Sequence, residues 1–177
     1  MRGRYDAIVS VEMIEAVGHR YLPTYLQTLD RLIDTGGRVA LQAITMPHHR
    51  MRATRHTYTW VHKYIFPGGF LPSVDLLEQI TAGHSGLQIV DRHSFGPHYA
   101  HTLRLWRQQF NARAADTDAL GFDQNFRRMW RFYLAYSEAG FASGYLDVHQ
   151  IVLERRCTPG AGEAASHAGE RCATRPR

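Results

Sequence analysis

Three residues far apart in the chain carry side chains suited to handling a proton or a small polar group: Glu15, Gln42 and Tyr99. Glu15 lies in Ser10-Val-Glu-Met-Ile-Glu-Ala-Val-Gly18, just past the apolar run Tyr5-Asp-Ala-Ile-Val-Ser-Val11. If that run is a parallel strand, its carboxyl end is the edge where α/β sheets bind ligands, and a carboxylate there can orient or deprotonate a substrate. An exposed acid at a helix start would show the same residue, because the helix dipole favours it. Glu12, in the same segment, has the weaker claim. Gln42 sits inside Arg38-Val-Ala-Leu-Gln-Ala-Ile44, where an amide in an apolar strand needs partners and marks either a polar pocket or a structural tie to a loop. Tyr99 follows Ser94-Phe-Gly-Pro-His98 at a helix start, with a phenol that can face the core or a site.

Other chemistries find less. The eleven histidines make no His-x-x-x-His pair flanked by Glu, and the adjacent His48 and His49 diverge, so no metal site is expected. A Gly-x-Ser-x-Gly elbow is missing. Cys157 and Cys172 both fall in the polar C-terminal stretch, which argues against a disulfide framework or a zinc site.

The elements that must position these residues read as α/β. Tyr5–Val11 reads as a strand buried on both faces. A helix comes next, with Leu22, Leu26, Leu29 and Ile33 on one side, Pro23 in its first turn and Gly36-Gly37 as its stop. Arg38–Ile44 is a second buried strand, which completes a parallel crossover unit. Residues 45–57 read as a loop or short irregular helix. Trp60-Val-His-Lys-Tyr-Ile-Phe-Pro-Gly-Gly-Phe-Leu-Pro-Ser73 sets aromatics around a Pro-Gly-Gly turn, and Ser73 caps a helix to about Thr81. Leu87–Asp91 is a strand. Tyr99, Leu103, Trp106 and Phe110 mark one helix; after a break at Asp116–Gly121, Phe122, Phe126, Met129, Tyr133, Ser137 and Gly140 mark another, and the two cover a face of the sheet. Tyr145–Leu153 closes the domain as a strand, so residues 1–156 form one domain and 157–177 a disordered tail.

The formal charge of +5, with Lys63 as the only lysine, suits phosphates of nucleic acid or anionic lipid head groups. Arg127, Arg128 and Arg131 on the last long helix form either a solvated face or a docking strip for lipid phosphates. No run of about 18 uncharged apolar residues and no signal-peptide core occur, so the expected place is the cytoplasm. No Gly-x-Gly-x-x-Gly segment is present either. A parallel sheet usually holds its ligand against such a turn, so the chain is expected to be an internal start in a longer frame or to depend on another polypeptide.

Taken in order, Tyr5-Asp-Ala-Ile-Val-Ser-Val-Glu-Met-Ile-Glu-Ala-Val-Gly18, Lys63-Tyr-Ile-Phe-Pro-Gly-Gly-Phe-Leu-Pro-Ser73 and Phe95-Gly-Pro-His-Tyr-Ala-His-Thr-Leu103 resemble the cyclopropane fatty acid synthase and mycolic acid cyclopropane synthase family. The resemblance runs from about Tyr5 to Arg155, and its middle motif is the most specific. It implies the second half of a class I methyltransferase, a Rossmann-like sheet with helices on both sides and its last strand antiparallel. It further implies methyl transfer from S-adenosylmethionine to a cis double bond of a phospholipid acyl chain, at the inner face of a membrane and without nucleic acid. The cation so formed loses a proton, to a bound bicarbonate, and yields a cyclopropane or a methyl or methylene branch.

Carried over residue by residue, the resemblance matches Glu15 and Tyr99 to bicarbonate-holding residues. Gln42 stands where the best-known members have His; it can hydrogen-bond bicarbonate but cannot titrate. Ser137, in Tyr136-Ser-Glu-Ala-Gly-Phe141, stands where many members have Cys, so thiol catalysis is excluded there and Ser137 becomes a residue of the site wall. Ser10 is left a marginal contact with S-adenosylmethionine, whose main loop falls outside the chain, and a homodimer stays open. Two other readings remain: a methyltransferase acting on a small metabolite, and a truncated, non-catalytic half or pseudoenzyme subunit.

Overall fold

The computed structural model describes residues 2–156; the expected disordered tail and both cysteines lie outside the described residues. β1 (Tyr5–Val11) and β2 (Ile33–Thr45) pair in parallel, with Ile8 opposite Val39 and Val11 opposite Gln42. The crossover between them holds α1 (Ile14–Val17), a 3-10 turn (His19–Tyr21) and α2 (Leu22–Leu32). β3 (Leu87–Ser94) and β2 both pair antiparallel with β4 (Asp147–Arg155), so the sheet order is β1-β2-β4-β3. The last strand therefore enters between two earlier ones and is the antiparallel member, as expected.

Strand alternation sorts the core into two faces. Val39, Leu41 and Ala43 of β2 and Ile151 and Leu153 of β4 pack with Leu22, Tyr25, Leu26 and Leu29 of α2 and Leu77 of α5 (Val74–His84). Ser73 caps α5, its hydroxyl accepting from the Leu76 amide at 3.1 Å, as its position before the apolar run predicts. On the opposite face Ile44 and Val148 meet Ala100 and Leu103 of α6 (Gly96–Ala112) and Leu134 and Phe141 of α8 (Gln124–Ala142). The first face is closed by aliphatic side chains. The second is covered only toward β4, by helices rich in aromatics.

Several expectations need correction. β1 is not buried on both faces: Val9 is 71% and Val11 58% exposed, because α6 and α8 do not reach over this strand and only Ile8 joins the core. Ile33 is not the last helical position of the apolar stripe but the C-cap of α2, its amide donating to the Leu29 carbonyl. It is extended and fully buried, and it starts β2 opposite Tyr5. The two glycines then serve the sheet: Gly36 turns at φ +79°, and a Cβ on Gly37 would lie 2.7 Å from the Asp6 carbonyl oxygen, so only glycine lets the strands approach there. The break expected near Asp116 contains α7 (Ala114–Ala119), whereas for residues 45–57 the short-helix reading holds, as α3 (His48–Thr54).

Candidate active site

At the carboxyl end of β1 the backbone turns sharply. Glu12 has φ +48°, the left-handed region that residues with a Cβ seldom enter. Its amide still donates to the Gln42 carbonyl at 2.9 Å, which extends the β1–β2 ladder by one rung. Its side chain reaches across the less covered face. There Glu12 Oε1 accepts from Gln42 Nε2 at 3.0 Å and from the Tyr99 hydroxyl, and Gln42 Oε1 accepts from Gln150 Nε2 at 3.1 Å. Strand register makes this row: Gln42 lies opposite Gln150, and Gln150 opposite His93.

Tyr99 is held by the start of α6. The Gly96 amide donates to Asp147 Oδ1 at 2.9 Å and Ser94 Oγ to Asp147 Oδ2 at 2.7 Å, which ties the helix to β3 and β4. A Cβ at Gly96 would sit 2.5 Å from Asp147 Oδ1 and break this joint. The Tyr99 ring lies 5.1 Å from Phe141 and 6.1 Å from Phe95. Burial, and then the Glu12 carboxylate as acceptor and as charge, push Tyr99 ionisation well above the ordinary phenol range. At neutral pH it is therefore a hydrogen-bond donor.

Glu15 is the second carboxylate at this edge. Its Oε1 accepts from the Ile44 amide at 2.6 Å, while Oε2 is buried and has no partner among the described residues. Burial raises its pKa, opposed by the Ile44 hydrogen bond and helped by the charge of Glu12. The Phe-Pro-Gly-Gly-Phe loop docks directly onto it, with the Phe70 amide donating to the Glu15 carbonyl at 2.9 Å. His62 steadies the loop from α4 (Trp60–Tyr64): its Nε2 is 2.9 Å from the Gly69 carbonyl. The first and second sequence motifs are thus one unit, and α6 brings the third against it.

The structure brings together Glu12, Gln42 and Tyr99, with Glu15 on the same turn. Ser10 does not join them; its hydroxyl accepts from Tyr25 at 2.7 Å toward α2, on the closed face. Ser137 is buried one helical turn from Tyr133, whose ring sits 6.0 Å from Phe66 and 5.2 Å from Trp130, so it belongs to an aromatic wall. Of the basic strip, Arg127 pairs with Asp118. Arg128 and Arg131 have no ion-pair partner among the described residues and line shallow depressions of about 350 and 370 Å³.

Glu12 and Gln150 are the residues that sequence reasoning under-rated or missed. For Gln150 the available signal was its alternation: within Val148–Leu153 it shares the side of Val148, the face of Gln42. For Glu12 no spacing rule announces a left-handed turn. Its place also bears on bicarbonate. The Tyr99 and Gln42 donors that should hold this anion are already given to the Glu12 carboxylate, and only Glu15 Oε2 is left open. With Glu12 so seated, the residues present do not fit bicarbonate in the expected manner.

Comparison with known proteins agrees with the fold and the motifs. The family model for mycolic acid cyclopropane synthetase matches residues 1–151. The chain is 62% identical over 157 residues to the tuberculostearic acid methyltransferase UfaA1 of Mycobacterium tuberculosis, covering 89% of this chain and 37% of that protein. It is 32% identical over 155 residues to the cyclopropane-fatty-acyl-phospholipid synthase of Escherichia coli, covering 88% of this chain and 39% of that one. The crystal structure of the mycolic acid cyclopropane synthase CmaA1 complexed with SAH and CTAB superposes with a TM-score of 0.78 at 26% identity, over 88% of this chain and 57% of that chain. The chain thus spans less than two-fifths of the length of these two curated relatives. Mixed sheet, motif order and family model agree that the chain belongs to the mycolic acid cyclopropane synthetase family, as part of a class I methyltransferase fold.

Proposed function

We propose that this chain supplies the proton-handling part of an S-adenosylmethionine-dependent methyltransferase that acts on the cis double bond of an unsaturated lipid acyl chain. The observation that carries the reading is the convergence of Glu12, Gln42 and Tyr99 at the carboxyl ends of parallel strands, beside an aromatic wall. S-adenosylmethionine would supply an electrophilic methyl group. The described residues supply a phenol and an amide fixed as donors, carboxylates able to take a proton, and rings whose faces tolerate a cation on the substrate. Between ring closure and a methyl or methylene branch, the name of the 62%-identical relative favours the branch.

A lipid partner has separate support on the surface. Trp60 meets Phe132 edge-on at 4.7 Å, Phe132 stacks on Tyr136 at 6.0 Å, and Tyr64, Phe132 and Tyr136 are each about half exposed. Beside them stand Lys63, Arg128 and Arg131. Aromatic rings next to cations without an ion-pair partner among the described residues suit the head-group layer of an anionic membrane, met peripherally. No helix among the described residues is long and apolar enough to cross a membrane.

The test joins this chain to the part of the 62%-identical relative that lies outside the matched region. The joined protein is supplied with methyl-labelled S-adenosylmethionine and oleoyl phospholipid vesicles. Label in the acyl chain, with a mass gain of one CH2, is expected. Label confined to small water-soluble acceptors would reject the lipid reading.

A further inference from the structure

We infer that Glu12 is the resident base of this site and occupies the seat of the bicarbonate that the family resemblance implies. The inference rests on the methyl-transfer reading for its reaction but on geometry for its seat. Two donors from separate elements, Gln42 Nε2 on β2 and the Tyr99 hydroxyl on α6, converge on one carboxylate oxygen. Because a carboxylate only accepts, Gln42 turns Nε2 toward Glu12, and Gln150 completes the pattern by donating to Gln42 Oε1. The backbone adopts φ +48° at a residue with a Cβ to put the carboxylate there. Such a conformation is kept where surrounding contacts impose it, and it clusters at functional sites. Glu12 Oε2 accepts from no protein donor among the described residues, which leaves lone pairs for a proton.

The step balances without an added base. The alkene π pair forms the bond to the incoming methyl carbon as the carbon–sulfur bond breaks, leaving a cation on the neighbouring carbon of the lipid. For ring closure a C–H bond of the transferred methyl group then breaks and its electron pair bonds to the cationic carbon. For a double bond a C–H bond on a carbon adjacent to the cation breaks, and in either case the proton passes to a Glu12 carboxylate oxygen, giving a neutral carboxyl group. Tyr99 and Gln42 are positioning residues for that carboxylate.

Two measurements test the seat and the role separately. Titration of this chain with bicarbonate in carbon dioxide-free buffer should show no saturable binding; saturable binding displaced by neither chloride nor phosphate would overturn Glu12's occupancy, whatever the reaction. In the joined protein, turnover should be unchanged when bicarbonate is removed, and Glu12→Gln should lower it on the order of 100-fold with S-adenosylmethionine affinity retained. Glu12→Gly, which relaxes the positive φ and so should fold, is expected to recover turnover with added bicarbonate. Wild-type turnover that needs bicarbonate, or a Glu12→Gln protein as active as wild type, would overturn the assignment.

Discussion

The two faces of one sheet divide the labour. On the α2–α5 side, odd-numbered positions of β2 and β4 are aliphatic and buried, and the hydrogen bond from Tyr25 to Ser10 ties helix to strand. On the other side even-numbered positions carry Gln42, Gln150 and, beyond the strand end, the reach of Glu12 toward Tyr99. The same strands thus build the aliphatic core on one side and carry the polar cluster on the other. Period-2 alternation lets a single residue step decide between them.

The contrast is sharpest in stability. Leu26 is 1% exposed on the closed face, and Leu26→Ala should cost about 3 kcal/mol in a denaturant melt. Val11 is 58% exposed on the other face, and Val11→Ala should change stability by less than about 0.5 kcal/mol. Equal costs would break the division of faces. Next in size, Tyr99→Phe should lower turnover of the joined protein on the order of 30-fold while the melt moves little, since the ring contacts with Phe141 and Phe95 remain. Gln150→Leu should act more mildly, roughly 5-fold on turnover, because it frees the Gln42 amide to rotate rather than removing a donor from Glu12.

The smallest effect concerns Glu15. Its folded pKa is raised by burial, so the native state holds its proton more tightly than the unfolded chain. Stability from this group is then complete below the ordinary carboxylate pKa and is lost as pH rises through the raised value. Glu15→Gln keeps an acceptor for the Ile44 amide and removes the titration. The variant should therefore gain in melting temperature relative to wild type as pH goes from 4 to 7. A constant difference across that range would remove burial as the cause.

Much of this layout was legible in residues. The β-branched run at Tyr5–Val11, the Leu22–Leu29 stripe and the Ser73 cap each obey a local rule, and each appears in the structure. Ile33 and Gly36-Gly37 misled because a glycine pair after an apolar stripe looks like a helix stop, whereas here a long-range approach to Asp6 requires it. Exposure of β1 was illegible for a related reason: an apolar strand reads as buried whatever lies beside it. At the site, Glu15, Gln42 and Tyr99 could be singled out by residue type. Which carboxylate receives the two donors could not, since it depends on one left-handed residue and on the β2–β4 register.

Whether Glu12 holds the Tyr99 and Gln42 donors is tested most directly by the ionisation of Tyr99. Nuclear magnetic resonance of ring-labelled tyrosine, assigned with Tyr99→Phe, tracks that phenol alone in the unjoined chain. Tyr99 should ionise well above the ordinary phenol range in wild type and at distinctly lower pH in Glu12→Gly, because the carboxylate that favours its neutral form is gone while burial remains. Identical titration in the two proteins would contradict this seating of Glu12.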